Sequence, residues 1–210
     1  SACKLNLSLE TIHLDKANGR ILAKGLVSKV NDPRFDNSAM DGWAVREEDC
    51  SSNNVTVLRI VGAIQAGSEN VHTIKSGEAC KITTGAPIPD GADAIVIVEN
   101  SRIEGENVII TGQAQKSFIR LKGENLSKGK LAIPEGTCMG SSTISLAATM
   151  GYDEILVFRK PIIGIISTGD ELVMPNSEIK DWQIFESNSF GIAALVEKMG
   201  GKPVRYGIVT

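Results

Sequence analysis

The feature that most constrains this chain is a series of short apolar runs between residues 55 and 110, each closed by a turn rich in glycine or asparagine. Val55, Val57 and Ile60-Val61 form the first run, Cys80–Ile82 the second, Ala94–Val98 (AIVIV) the third and Val108–Ile110 the fourth. Gly67-Ser68-Glu69-Asn70 and Gly105-Glu106-Asn107 lie between them. Short strands at this spacing predict a small β barrel or sandwich. Aromatic residues are only 4% of the chain and glycines number 21 of 210, so such a core must be built from Val, Ile, Leu and Ala. The same scarcity argues against a surface for stacking nucleobases.

Around this series the pattern changes. Ile12-His13-Leu14 is extended, and Asp15 reads as the N-cap of a helix running through Leu22-Ala23, weakened by Gly19. Asn31–Ser38 is polar, holds Pro33 and reads as a loop. After Gly140-Ser141-Ser142 a helix is predicted over Thr143–Met150, stopped by Gly151, followed by a strand at Ile155–Phe158. Beyond Arg159-Lys160-Pro161, the run Ile162–Ser167 (IIGIIS) reads as a buried parallel strand. A helix over Ser189–Met199, ended by Gly200-Gly201, and a strand over Val204–Val209 complete one βαβ unit. One such unit cannot cover both faces of a parallel sheet, so the sequence reads as stopping inside an α/β domain. The fold class expected is therefore α+β and multi-domain. A mixed linker domain (residues 1–30 and 126–158) carries an inserted β barrel or sandwich domain (31–125), and an incomplete α/β domain (159–210) follows.

Bulk properties exclude other classes. Hydrophobic content of 42% and charged content of 22% are globular values. A net charge of −3 leaves no broad basic surface, so no nucleic-acid partner is expected. Cys3, Cys50, Cys80 and Cys138 are scattered without a CxxC pair, which fits reduced thiols in a cytoplasmic protein rather than zinc or thioredoxin-like sites. No apolar run reaches the ~20 residues that span a bilayer, so no membrane partner is expected, although the chain begins with Ser rather than Met. His13 and His72 lie in different segments with no partner at ligand spacing.

The polar constellations remain. In Phe35–Gly42 (FDNSAMDG) the carboxylates of Asp36 and Asp41, the Asn37 amide and the Ser38 hydroxyl lie close together between apolar neighbours. Such hard oxygens suit a hydrated divalent cation; the same residues also suit a polar turn with Asx caps. Thr83-Thr84-Gly85, ahead of a Pro-rich turn, is an anion nest or an ordinary β-turn. Arg120-Leu121-Lys122-Gly123-Glu124-Asn125 offers an arginine for phosphate. Ser167-Thr168-Gly169-Asp170-Glu171-Leu172 lies at the carboxyl end of IIGIIS, where open α/β sheets bind ligands.

These residues resemble one family. FDNSAMDGWA is similar to the FDNSAMDGYA signature of the MoeA family, which includes the E domain of gephyrin, with Trp43 in place of Tyr. Asn18–Ala23 resembles its A-x-G-R-x-L-A. Thr83–Pro89 with Gly91–Ala94 resembles its TGAPxPxGADAVV. Arg120 with Gly123-Glu124 resembles its R-x-x-G-E-D, with Asn125 where Asp is usual. Ser167–Leu172 resembles STGDEL, and Ser187-Asn188-Ser189 resembles D/E-S-N-S. The resemblance implies insertion of molybdate into adenylylated molybdopterin with release of AMP and with Mg²⁺, on substrate supplied by a molybdopterin adenylyltransferase. It implies catalytic roles for Asp41, Asp36, Thr84 and Glu171. Substrate contacts would fall to Asn37, Ser38, Met40, Gly85, Arg120, Asn125, Ser167, Thr168, Gly169, Ser187 and Asn188, and Mg²⁺ contacts to Asp41 and Asp170.

The resemblance also implies a homodimer in which the FDNSAMDG part of one protomer faces the α/β domain of the other. The family's SGGVS-type loop and KPGKP-type basic segment are not among these 210 residues, so a fragment without insertion activity of its own is expected. A gephyrin-like scaffold is the competing class. A nucleotide hydrolase on the same α/β fold ranks last, because it would lack FDNSAMDG.

Overall fold

A computed structural model describes residues 7–50, 55–69 and 72–209. In chain order the strands are β1 Leu9–His13, β2 Leu26–Val27, β3 Asn37–Ser38, β4 Gly42–Val45, β5 Thr56–Ile64, β6 Glu78–Ile82, β7 Ala94–Ile97, β8 Ser101–Glu104, β9 Asn107–Ile110, β10 Ile119–Arg120, β11 Leu131–Ile133, β12 Glu154–Phe158, β13 Ile162–Thr168, β14 Leu172–Val173, β15 Ile184–Phe185 and β16 Lys202–Val209. The α-helices are α1 Ser141–Thr149 and α2 Asn188–Lys198. The chain divides into two compact units, residues 27–130 and residues 1–26 with 131–210. The architecture is mixed α/β and mostly strand.

In the 27–130 unit the predicted apolar runs pair into a six-stranded sheet of order β7-β4-β6-β5-β9-β8. All neighbours are antiparallel except β5 and β6. Successive side chains point to opposite faces of a strand, and here both faces are covered. Trp43, Val45, Ala79, Ala94, Val96, Val108 and Ile110 fill one core. Ala44, Cys80, Ile82 and Ile95 fill another with Ile64, Ile74 and Ala86. That is why AIVIV is apolar without alternation. Trp43 is a core residue, 1% exposed, with its indole N–H donated to the Ser101 hydroxyl at 2.9 Å.

The strand β4 was invisible to periodicity, being four residues long directly after a polar turn. Gly42 permits it: a Cβ there would stand 2.0 Å from the Val96 carbonyl oxygen in β7. The hairpin β8–β9 turns at Gly105, whose φ of +60° suits glycine.

In the other unit, β1 and β12 pair antiparallel. The helix expected from Asp15 through Ala23 does not form. Leu14–Lys16 make a single 3₁₀ turn, and Gly19 sits at φ +72° with its N–H donated to the Met139 carbonyl. The left-handed glycine ends the turn and sends Arg20 back toward β12, where its guanidinium bonds Glu10 and the Phe158 carbonyl. The expected helix near residue 143 forms as α1, and Gly151 at φ +83° stops it. The βαβ unit forms as expected: β13 and β16 pair parallel, with α2 between them in sequence and packed on both. No helix is long and apolar enough to cross a membrane.

Candidate functional site

Three of the four constellations meet in the 27–130 unit, and the backbone brings them together. The Ser38 N–H donates to the Ala86 carbonyl at 3.0 Å, and the Gly85 N–H donates back to the Ser38 carbonyl at 2.8 Å. The Ile88 N–H reaches the Asp36 carbonyl at 3.1 Å. On the other side β3 pairs with β10, setting Asn37 against Arg120, and the Ala39 N–H donates to Phe118 at 2.8 Å. The FDNSAMDG turn is thus stitched between TTGAPIP and RLKGEN.

The side chains divide into those that build this turn and those that face solvent. Asn37 and Ser38 are buried. The Asn37 amide donates to the Phe35 carbonyl, and the Ser38 hydroxyl donates to the Met40 carbonyl at 2.6 Å. The Asp36 carboxylate accepts the Lys122 N–H at 2.7 Å and so ties down the RLKGEN turn. Gly85 stands at φ +81°, a conformation that suits glycine. Met40, Asp41, Thr84 and Arg120 are exposed.

Asp41 carries the sharpest geometry. Its Oδ1 accepts both the Thr84 N–H at 2.6 Å and the Thr84 hydroxyl at 3.0 Å. The backbone bond first and the hydroxyl second hold its carboxyl below the ordinary value of 3.8, so it stays ionised. Thr84 therefore spends its proton on positioning Asp41. Asn125 donates its amide to Asp32 Oδ2 at 3.3 Å and its backbone N–H to the Asp32 carbonyl at 3.0 Å.

The fourth constellation lies in the other unit. Ser167 and Thr168 end β13, and Gly169 follows at φ +152°. A cavity of about 380 Å³ opens there, lined by Ser167, Thr168, Glu186, Ser187 and Asn188 among others. Asp170 and Glu171 are exposed in the next turn and do not line it. Sequence reasoning overlooked Glu186, which is 2% exposed and receives bonds from Ser189. Its only signal is the acidic position that opens the D/E-S-N-S pattern.

Among the described residues no three His, Cys, Asp or Glu side chains converge to form a metal cage. Mg²⁺ does not require one, since it keeps most of its waters and takes one or two carboxylates plus phosphate oxygens. An ionised, exposed Asp41 with Oδ1 fixed fits that donor set; Asp170, also exposed, offers a single carboxylate.

Comparison with known proteins agrees with these motifs. The MoeA N-terminal region (domain I and II) matches residues 2–151. A molybdopterin molybdenumtransferase from Nostoc sp. is 39% identical over 204 residues, covering 95% of this chain and 47% of the relative. One from Haemophilus influenzae is 33% identical over 202 residues, covering 95% and 50%. The crystal structure of a molybdopterin biosynthesis protein, moeA, from Pyrococcus horikoshii superposes with a TM-score of 0.89 at 33% identity, covering 96% of this chain and 55% of that one. The chain spans about half the length of the curated relatives it matches. With the motifs in order, the turn geometry that joins them and the shared fold, the chain belongs to the family of the MoeA N-terminal region.

Proposed function

We propose that this chain forms part of a molybdopterin molybdenumtransferase, which inserts molybdate into adenylylated molybdopterin and releases AMP. The observation that carries the reading is the Asp41 carboxylate, ionised, exposed and oriented by two donors from Thr84. Cleaving a phosphoanhydride places charge on oxygens that must be neutralised. Asp41 and Asp170 would hold the Mg²⁺ whose chemistry supplies that neutralisation. Thr84 positions Asp41, and Arg120, exposed at the end of β10, offers a cation for a phosphate. Ser167, Thr168, Ser187 and Asn188 offer the second unit's contacts to the substrate.

By the same resemblance we read the protein as a cytoplasmic homodimer acting after a molybdopterin adenylyltransferase. We read the 27–130 unit as an inserted β domain between two linker segments, with the α/β residues from 159 onward as the molybdopterin-binding part. The division into compact units supports that layout.

The test is restoration of molybdoenzyme activity in a bacterium lacking its own molybdopterin molybdenumtransferase, using the protein that carries this chain. Asp41→Ala should reduce restoration by about 100-fold, the scale for losing a ligand or its orienting group, with only a small fall in the urea midpoint from the lost Thr84 bonds. Undiminished restoration by Asp41→Ala would falsify the reading.

A further inference from the structure

We propose that a cavity of about 460 Å³ beside residues 18–21 binds a small free carboxylic acid with an apolar body, and that Arg20 takes its carboxylate. Every residue lining the cavity belongs to the unit formed by residues 1–26 and 131–210. Its chemistry does not depend on the transferase reading, which leaves the motif Asn18–Ala23 without a task.

The chain carries a net charge of −3, yet this cavity is cationic. Arg20, Arg159, Lys160 and Lys198 line it together with one carboxylate, Glu197. Glu10 serves two of these cations at once: it is bonded by Arg20 and lies 3.9 Å from Arg159 Nε. Among the described residues neither Lys160 nor Lys198 forms an ion pair. A concave site lined by one sign of charge concentrates the opposite sign. Arg20 gives that charge a fixed place. Gly19, at φ +72°, turns the chain so that the Arg20 side chain is only 11% exposed. Both of its hydrogen bonds run from Nη2, one to Glu10 and one to the Phe158 carbonyl at 2.9 Å. A guanidinium has five N–H donors, and among the described residues no buried side-chain nitrogen lacks a partner. The Nε and Nη1 donors of Arg20 are therefore open to solvent, and Arg20 lines the cavity. A held guanidinium with spare donors makes short, charge-assisted bonds to a carboxylate.

The rest of the wall is apolar. Leu7, Ile21, Phe158, Pro161 and Met199 supply it. Ile21 is 39% exposed and Met199 79%, so both keep apolar surface that a ligand can cover. The Met199 thioether adapts its shape and favours the edge of an aromatic ring. The volume of about 460 Å³ is that of a site for a small molecule. A bare inorganic anion would use the cations and leave the apolar wall wet. An apolar amine would use the wall and be repelled by the cations. A molecule that is anionic at one end and apolar at the other uses both.

The test is amide chemical-shift titration of the isotopically labelled chain with 4-phenylbutyrate, butyrate, 4-phenylbutylamine and inorganic phosphate. 4-Phenylbutyrate should move the Gly19, Lys160 and Gly200 amides at a concentration at least about tenfold below that needed for any of the others. Lys160→Gln combined with Lys198→Gln, both at exposed positions, should weaken 4-phenylbutyrate by about tenfold. Arg20→Gln should abolish the shifts; should it fail to fold, the lysine double variant decides. The assignment is overturned if 4-phenylbutyrate leaves these amides unmoved, if the amine or phosphate moves them at equal or lower concentration, or if the lysine double variant binds 4-phenylbutyrate undiminished. Butyrate acting as well as 4-phenylbutyrate overturns the apolar body. Tighter binding of N-acetyl-Leu-Phe, whose carboxylate ends a peptide, overturns the free acid in favour of a chain terminus. Restoration by Asp41→Ala tests the transferase reading separately, and neither result decides the other.

Discussion

Strands β4 (GWAV) and β13 (IIGIIST) are both largely apolar, yet they are held very differently. In β4 all four residues are buried, and β6 and β7 flank it on both edges. In β13 only Ile165 is buried, and among the described residues β16 is its one partner. Ile162 is 65% exposed, Ile166 60% and, on β16, Tyr206 66%. Burial of apolar area contributes roughly 25 cal/mol per Å², so an apolar side chain in β4 contributes more than an exposed one in β13. Within this chain β4 is therefore expected to open less readily than the βαβ segment.

The largest expected effect tests the first region. Gly42→Ala sets a Cβ against the backbone of β7, where no side chain can yield. It should destabilise by about 4 kcal/mol or more, read as a lowered urea midpoint. A loss within experimental error would show that the sheet is looser than its close approach indicates.

Gly191→Ala tests the second region. Nothing lies within 4 Å of an added Cβ there, and the site is inside α2. Stability should rise by about 0.5–1 kcal/mol, and hydrogen exchange should slow in α2 and β16 while β4 keeps its rate. Equal slowing in β4 would mean that the two regions open together, and the contrast drawn above would fail.

Asn125→Asp is a smaller perturbation within residues 27–130. It exchanges a donated bond to Asp32 for two facing carboxylates. Both residues are solvent-accessible, so the cost should be about 0.5 kcal/mol and should shrink in high salt. A gain in stability would remove the role assigned to that bond.

The finest test is acid titration. Asp41 and Glu186 both have folded values below their ordinary 3.8 and 4.5. Each therefore contributes stability that is present above those ordinary values and is lost as pH falls through the lower folded value. The Thr84 amide should report the loss in one region and the Ser189 amide in the other. Titration of either amide above its carboxyl's ordinary value would refute the bonding described.

Much of this was legible from sequence where the signal is local. The runs at Cys80–Ile82, Ala94–Val98 and Val108–Ile110 became β6, β7 and β9, and Gly151 and Gly200 stop α1 and α2, because strand period and glycine stops act over a few residues. The helix expected after Asp15 failed because a weak local propensity competes with tertiary bonds: Gly19 and Arg20 are held by Met139, Phe158 and Glu10. Trp43 reads as part of a site motif, yet its side chain is core, since a motif says nothing about which face a strand turns inward.

The sequence alone determined which residue types stand together in FDNSAMDG, TTGAPIP, RLKGEN and STGDEL, and through them the family. It also set the order of most strands and both helices. Only the tertiary structure decided what each polar group has left to give. Thr84 and Asp41 stand 43 positions apart and Lys122 and Asp36 stand 86 apart, yet each pair is bonded. Glu186 looks like one more surface carboxylate until Ser189, Ser167 and Arg205 close around it. The reason is physical. Local preference depends on neighbours in the chain, whereas the charge, burial and spare hydrogen-bonding capacity of a side chain depend on neighbours in space.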